Sequence, residues 1–274
     1  MAVQSHWFSV GSVVTWARAG VGAVATQSLA DPAYGPRLLD ALAHGEEPAV
    51  ALERLVAADA QGRFRQVACV RSDGALAVHT GDACIAFAGH TTGEGFSAQA
   101  NMMASERVWG AMAEGFQAAQ GTLARRLLAA LDAAEGAGGD VRGRQSAALL
   151  VVPAEGEAWD RFELRVEDNA EPLEELRRLV GVREAYDLAE QADEAMGEGR
   201  HDDAARLGRE ALALTPDNHE LLFWAGLGLA QSGDMDQGVA MVRRAIDLQP
   251  GWGELIGRLS PELAPSAADV AARL

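Results

Sequence analysis

The sequence predicts an α+β chain in two parts: a four-layer αββα sandwich over residues 1–168, followed by an all-α module of helical hairpins over residues 169–274. Three observations carry this reading. Short strand patterns alternate with helical patterns as far as residue 166. Beyond that, Gly199, Ala204, Ala211 and Pro216 recur as Gly233, Gly238, Ala245 and Pro250, each displaced by 34 residues. Finally, 274 residues at 49% hydrophobic content suffice for one good core and a second, smaller unit.

Taken in order, residues 3–27 alternate small, apolar and polar side chains around Gly11, Gly20 and Gly22, which predicts strands joined by a tight turn. Gly20, Gly22 and Ala25 match the spacing of a dinucleotide-binding fingerprint, but that motif needs a helix directly after the glycines. Residues 21–27 alternate as a strand does, so the motif is rejected. Two short helices follow, near 36–44 and 48–58, with Gly45 as the break. Strands are then expected at 66–71, 75–80, 84–88 and 96–100, with a turn at Ser72-Asp73-Gly74. Helices at about 105–119 and 121–136, a glycine-rich stretch at 136–143 and strands at 147–152 and 162–166 complete this part.

In the second part, Leu222, Ala225, Gly226 and Leu229 share one helical stripe, and Val239, Val242, Ala245 and Ile246 share another. Small residues at Gly226, Gly238 and Ala245 allow close helix approach, Gly233 and Asp234 form a turn, and Pro250 ends the second helix. The period and its Gly, Ala and Pro positions resemble the tetratricopeptide repeat, in two copies over about 185–250. Two copies leave both ends of a stack open, so residues 171–180 and 252–259 are expected to cap it. Trp224 and Trp252 read as helix-packing residues. The module reads either as a groove for a protein partner or as a packing and homo-oligomerisation surface.

Composition narrows the chemistry. The 23 basic residues are all arginine, which removes Schiff-base chemistry, a pyridoxal anchor and a P-loop lysine together. A net charge of −17 argues against nucleic acid and anionic membrane as partners. No basic leader and no membrane-length apolar run occur, so a cytoplasmic location is expected. Cys69 and Cys84 lack CxxC spacing and read as structural. No histidine pair has helical ligand spacing and there is no GxSxG elbow; neither a metal nor a cofactor is expected, and the expected ligand is a small-molecule substrate.

Candidate site residues are the polar groups in strands, strand ends and glycine-rich loops. Ser5 and His6 are adjacent, so in a strand they point to opposite faces and cannot pair with each other. Ser5 reads as a site hydroxyl or a strand hydroxyl satisfied by backbone, and His6, before Trp7 and Phe8, as a packed or rim histidine. Gln27 and Asn101 end strands, where an amide serves either as an oxyanion donor or as a turn former. Asp140, Arg142, Gln145 and Ser146 are the densest polar cluster of an alanine-rich region. Arg142 there reads as a clamp for a substrate carboxylate oriented by Asp140, or as half of a structural ion pair.

The segments Val3-Gln4-Ser5, Val10-Gly11-Ser12-Val13-Val14, 17–27 (ARAGVGAVATQ), Asn101-Met102-Met103 and 138–147 (GGDVRGRQSA) together resemble the domain-of-unknown-function family numbered 1028, over about residues 2–168. That resemblance implies an N-terminal-nucleophile (Ntn) hydrolase-like αββα fold and, beyond it, hydrolysis of a C–N bond in a small amide; the reading of the residues supplies Ser5 and Asn101 as catalytic candidates and His6, Gln27, Asp140, Arg142, Gln145 and Ser146 as substrate-binding candidates. The alternative is a non-catalytic binding or scaffold protein that uses the repeat tail. Ntn hydrolases attack with a terminal Thr, Ser or Cys, whereas removing Met1 here exposes Ala2. Relatives begin with a further strand upstream, so residues 1–5 are expected to be half of a strand pair, lacking the first strand of the sandwich.

Overall fold

The computed structural model describes residues 1–157 and 159–274, and among these described residues there are three small sheets and eleven α-helices. Two compact units are separable, Met1–Arg178 and Leu179–Leu274; the sequence reading places the division at 168.

In the first unit, β1 (Ala2–Ser5), β8 (Ser146–Val151) and β9 (Phe162–Val166) form one antiparallel sheet in the order β1-β8-β9. A second sheet is a meander of β2 (Thr15–Arg18), β3 (Gly22–Ser28), β4 (Arg65–Arg71) and β5 (Leu76–Thr80). The hairpin of β6 (Gly89–Gly93) and β7 (Phe96–Ala100) is the third. Helices α2 (Tyr34–Ala43) and α3 (Pro48–Ala57) pack on the second sheet, burying Leu38, Leu39 and Leu52 against Val24 and Val67. Helices α4 (Val108–Ala118) and α5 (Leu123–Gly136) pack together, α5 against β1 and β8 and α4 against the hairpin. Thr122 caps α5 by accepting from the Arg125 N–H.

The strand expected at 84–88 is not one. The chain enters its hairpin later, at Gly89, because Gly81 is pressed against the Arg63 backbone and the segment between them turns instead of extending. Nor do residues 3–27 run as strands alone: the short helix α1 (Gly11–Val14) intervenes, where Gly11 lies so close to Ala148 that an added Cβ would fall 2.5 Å from the alanine's own. Of the rejected dinucleotide motif, Gly22 and Ala25 lie on β3, a strand, and Gly20 lies in the turn before it. Cys69 and Cys84 are both free thiols, Cys69 buried in β4.

The second unit takes up α6 (Pro172–Gly197) from Leu179 onward, then α7 (His201–Leu214), α8 (His219–Gln231), α9 (Met235–Leu248), α10 (Gly251–Ile256) and α11 (Ala267–Ala271). The expected separate cap at 171–180 is instead the start of the 26-residue α6, since no Gly or Pro interrupts the helical pattern between Pro172 and Gly181. Gly199 and Gly233 both turn at positive φ, 75° and 107°, between successive helices. Gly226 and Gly238 bring α8 and α9 into backbone contact: a Cβ on Gly238 would lie 2.5 Å from the Gly226 carbonyl. Phe223, fully buried, stacks on Trp252 at 4.6 Å, and the Trp252 indole donates to His219 Nδ1. Trp224 meets Phe223 edge-on but stays partly exposed.

Candidate functional site

The first unit encloses a cavity of about 580 Å³, within the range that holds a small ligand. Its walls come from β1, β3, β4 and β7 and from the inner faces of α4 and α5, so most of its lining is apolar, including Met102, Met103, Met112 and Phe116. Five polar candidates gather on it: Ser5, Gln27, Asn101, Asp140 and Arg142.

One polar cluster is built on a buried amide. Gln66 is fully buried in β4, directly opposite Gln27 in β3 and Thr80 in β5. Its Nε2 lies 3.1 Å from the Gly89 carbonyl, 3.0 Å from that of Ala100 and 2.9 Å from Thr80 Oγ1. Carbonyl oxygens only accept, so this end must be the NH₂ and the other end must be the oxygen. Gln66 Oε1 then accepts from Gln27 Nε2 at 2.7 Å and from Asn101 Nδ2 at 3.1 Å. Both of those amides are thereby fixed, each with one N–H spent on Gln66. Each keeps a second N–H and its carbonyl oxygen for the cavity they line.

A charged cluster lies on the same cavity. Arg142 donates Nε to Asp140 Oδ1 at 3.0 Å and Nη2 to Asp140 Oδ2 at 2.7 Å, a two-pronged pair. The Arg142 and His6 backbone N–H groups also donate to this carboxylate, at 2.9 and 3.5 Å. Asp140 is consequently nearly sealed, 4% exposed, while Arg142 remains 36% exposed. Arg142 Nη2 also reaches Ser5 Oγ at 3.3 Å. Among the described residues this guanidinium is the sole side chain hydrogen-bonded to the Ser5 hydroxyl, and Nη1 donates to none.

The remaining candidates are placed elsewhere. The His6 side chain is exposed and off the cavity, with only its backbone touching Asp140. Gln145 donates to Asp168 Oδ1 at 3.2 Å, away from the cavity. Ser146 is fully buried at the start of β8, where Oγ accepts from the Val10 N–H and donates to the Trp7 carbonyl, pinning the 7–10 loop. Sequence reasoning missed Gln66, although a lone amide directly before the apolar run Val67-Ala68-Cys69-Val70 was its visible signal. It also missed Glu135, which lines the cavity and pairs with Arg144.

Exposed apolar side chains lie near this site: Trp7 on its lining, Val141 between Asp140 and Arg142, and Ile85 and Phe87, whose backbone is hydrogen-bonded to Met102 and Met103. Among the described residues no group of three or more His, Cys, Asp or Glu is arranged to hold a metal ion, and no helix is long and apolar enough to cross a membrane.

Comparison with known proteins places the chain. Residues 1–176 match the model of a family of unknown function, DUF1028. The crystal structure of protein SPO2555 from Silicibacter pomeroyi, a DUF1028 protein, is 32% identical and superposes with a TM-score of 0.61, over 65% of this chain and 77% of that one. No curated protein matches. The chain therefore belongs to the DUF1028 family.

Proposed function

We propose that the cavity binds a small amide bearing a carboxylate and hydrolyses its C–N bond, on an Ntn-hydrolase-like αββα scaffold. The observation that carries this reading is the pairing, on one apolar cavity, of a guanidinium with an open edge and two amides whose orientation is fixed by Gln66. Arg142 would take the substrate carboxylate through Nη1, with Asp140 holding its plane. Gln27 or Asn101 would donate its second N–H to the oxygen that gains charge as a water molecule adds to the amide carbonyl; the C–N bond then breaks and the proton from that water leaves on the amine. Packing of α2 and α3 outside one sheet and α5 outside another supports the four-layer reading.

Ser5 bears on a second reading. Its hydroxyl meets a cation and not a base, so it is suited to positioning and not to attack. That favours a non-catalytic binding protein as the alternative. The tail from Leu179 onward reads as a tetratricopeptide module of two repeats with capping helices, whose expected occupant is a protein segment or a second copy of the chain, in the cytoplasm. The binding half of the proposal is tested by calorimetric titration with N-acetylglycine. Saturable binding that weakens by about tenfold in Arg142→Ala is expected, the equivalent of one charge-assisted hydrogen bond. Equal affinity in both proteins would remove Arg142 from the site.

A further inference from the structure

The cavity carries a second charged group that binding of a carboxylate leaves unused. Among the described residues that line it, Arg142 is the one cationic side chain, and Glu135 and Asp140 are the carboxylates. The two anions are in opposite states. Asp140 takes four hydrogen bonds, two from the Arg142 guanidinium and one each from the Arg142 and His6 backbone N–H groups. Nearly sealed, it has nothing left for a ligand. Glu135 spends only Oε2, which accepts from Arg144 Nε at 2.5 Å. Its Oε1 has no hydrogen-bond partner among the described residues and is not closed off, so its accepting capacity is intact.

Arg144 does not neutralise Glu135 alone. Its guanidinium also holds Glu171, through Nη1, so two carboxylates share one cation. Glu171 is exposed and solvated by water, whereas Glu135 is only 17% exposed and borders a largely apolar space. A carboxylate in such surroundings gains more from a cation than one in water does, because the attraction is less screened.

This anion and the open guanidinium edge belong to one end of the cavity. Glu135 lies in the last turn of α5, and the chain folds back beside it, Gly139 N donating to the Ala134 carbonyl at 3.0 Å. A Cβ on Gly139 would fall 2.6 Å from Glu135 Oε1, so a side chain there would displace that oxygen. Asp140, which grips Arg142, is the next residue, about 3.8 Å further on at Cα.

A free carboxylate oxygen and a free guanidinium edge, on a cavity with two fixed amides, are complementary to an amide that carries opposite charges at its ends. We propose that the ligand is a zwitterion of the dipeptide class, its carboxylate on Arg142 Nη1, its ammonium on Glu135 Oε1 and the linking amide between them. This rests on the reading of the cavity as a carboxylate-binding site and narrows it from N-acyl amino acids in general to those whose acyl group bears an amine.

The experiment is calorimetric titration of the full chain with Ala-Ala and with N-isobutyrylalanine, at about pH 6.5, where a terminal α-amine is charged. The second ligand has a methyl group in place of the ammonium and keeps the amide and the carboxylate. Ala-Ala is expected to bind about tenfold more tightly, the worth of one charge-assisted hydrogen bond. That advantage is expected to vanish in Glu135→Gln, which keeps the size of the side chain and an oxygen for Arg144. Affinity for Ala-Ala equal to or weaker than that for N-isobutyrylalanine overturns the proposal in the wild type alone, while leaving the carboxylate site standing. An advantage that survives in Glu135→Gln gives the ammonium a different partner and overturns it as well. Binding of neither ligand removes both the proposal and the reading beneath it.

Discussion

The α8–α9 pair and the Gln66 cluster solve one problem, how to hold two elements at a fixed spacing, by opposite means. In the helical unit, Gly226 and Gly238 remove side chains so that backbones meet, and Phe223 fills the space beside them. At the cavity a buried side chain with several partners ties β3, β4, β5 and the ends of β6 and β7 together. The first device is apolar and non-directional, so it tolerates small shifts. The second is directional, and its cost when broken is that of stranded polar groups.

Truncation shows the contrast at its largest. Phe223→Ala is expected to destabilise the helical unit by about 3–5 kcal/mol, the usual cost of an aromatic cavity, read from hydrogen exchange of α8 and α9 amides. A loss under about 1 kcal/mol would mean that the unit is not held by this core. Gln66→Leu, similar in size, is expected to cost about 1–3 kcal/mol by chemical denaturation, because the Ala100 and Gly89 carbonyls and the Gln27 and Asn101 N–H groups lose their partner. An unchanged midpoint would show that water replaces the amide without penalty.

A smaller effect is expected at Asp59, beside the site-bearing strand. Hydrogen bonding from Arg65 holds its carboxyl below the usual carboxylate range, against an opposing effect of burial. Since the folded state lowers this pKa, the stabilisation is present above the unfolded value and is lost as pH falls through the folded one. Asp59→Asn should therefore cost about 1 kcal/mol at neutral pH and progressively less in acid below about pH 4, measured as denaturation midpoints against pH. A penalty independent of pH would assign the effect to packing. Cys69 gives a chemical comparison: burial raises its thiol pKa to about 11, so alkylation at pH 8 is expected to label it only on unfolding. Labelling of Cys69 in the native protein at the rate of a free thiol would contradict its burial.

The same contrast governs what was legible in the sequence. Gly199 and Gly233, or Ala211 and Ala245, announce themselves because a repeat prints each local solution twice, 34 residues apart. Most strands of the first unit were legible from alternation and turns. The join of Asp140 with Arg142 was legible from closeness along the chain, but the same closeness pointed wrongly outward from it: Ser146 starts β8 and is consumed by Trp7 and Val10, and Gln145 is held by Asp168. Gln66 was not legible as a hub. Its role depends on the register that sets it opposite Gln27, a pairing 39 residues long that no local pattern encodes.

The most direct test of the central claim is turnover of N-acyl amino acids by the full chain, measured as released amine, in the wild type and in Arg142→Ala and Asn101→Ala. The account expects saturable hydrolysis, a KM raised about tenfold or more by Arg142→Ala, and a kcat lowered by about 10²–10³ when an oxyanion donor is lost in Asn101→Ala. No release above the uncatalysed rate, or release unaffected by either substitution, would contradict it.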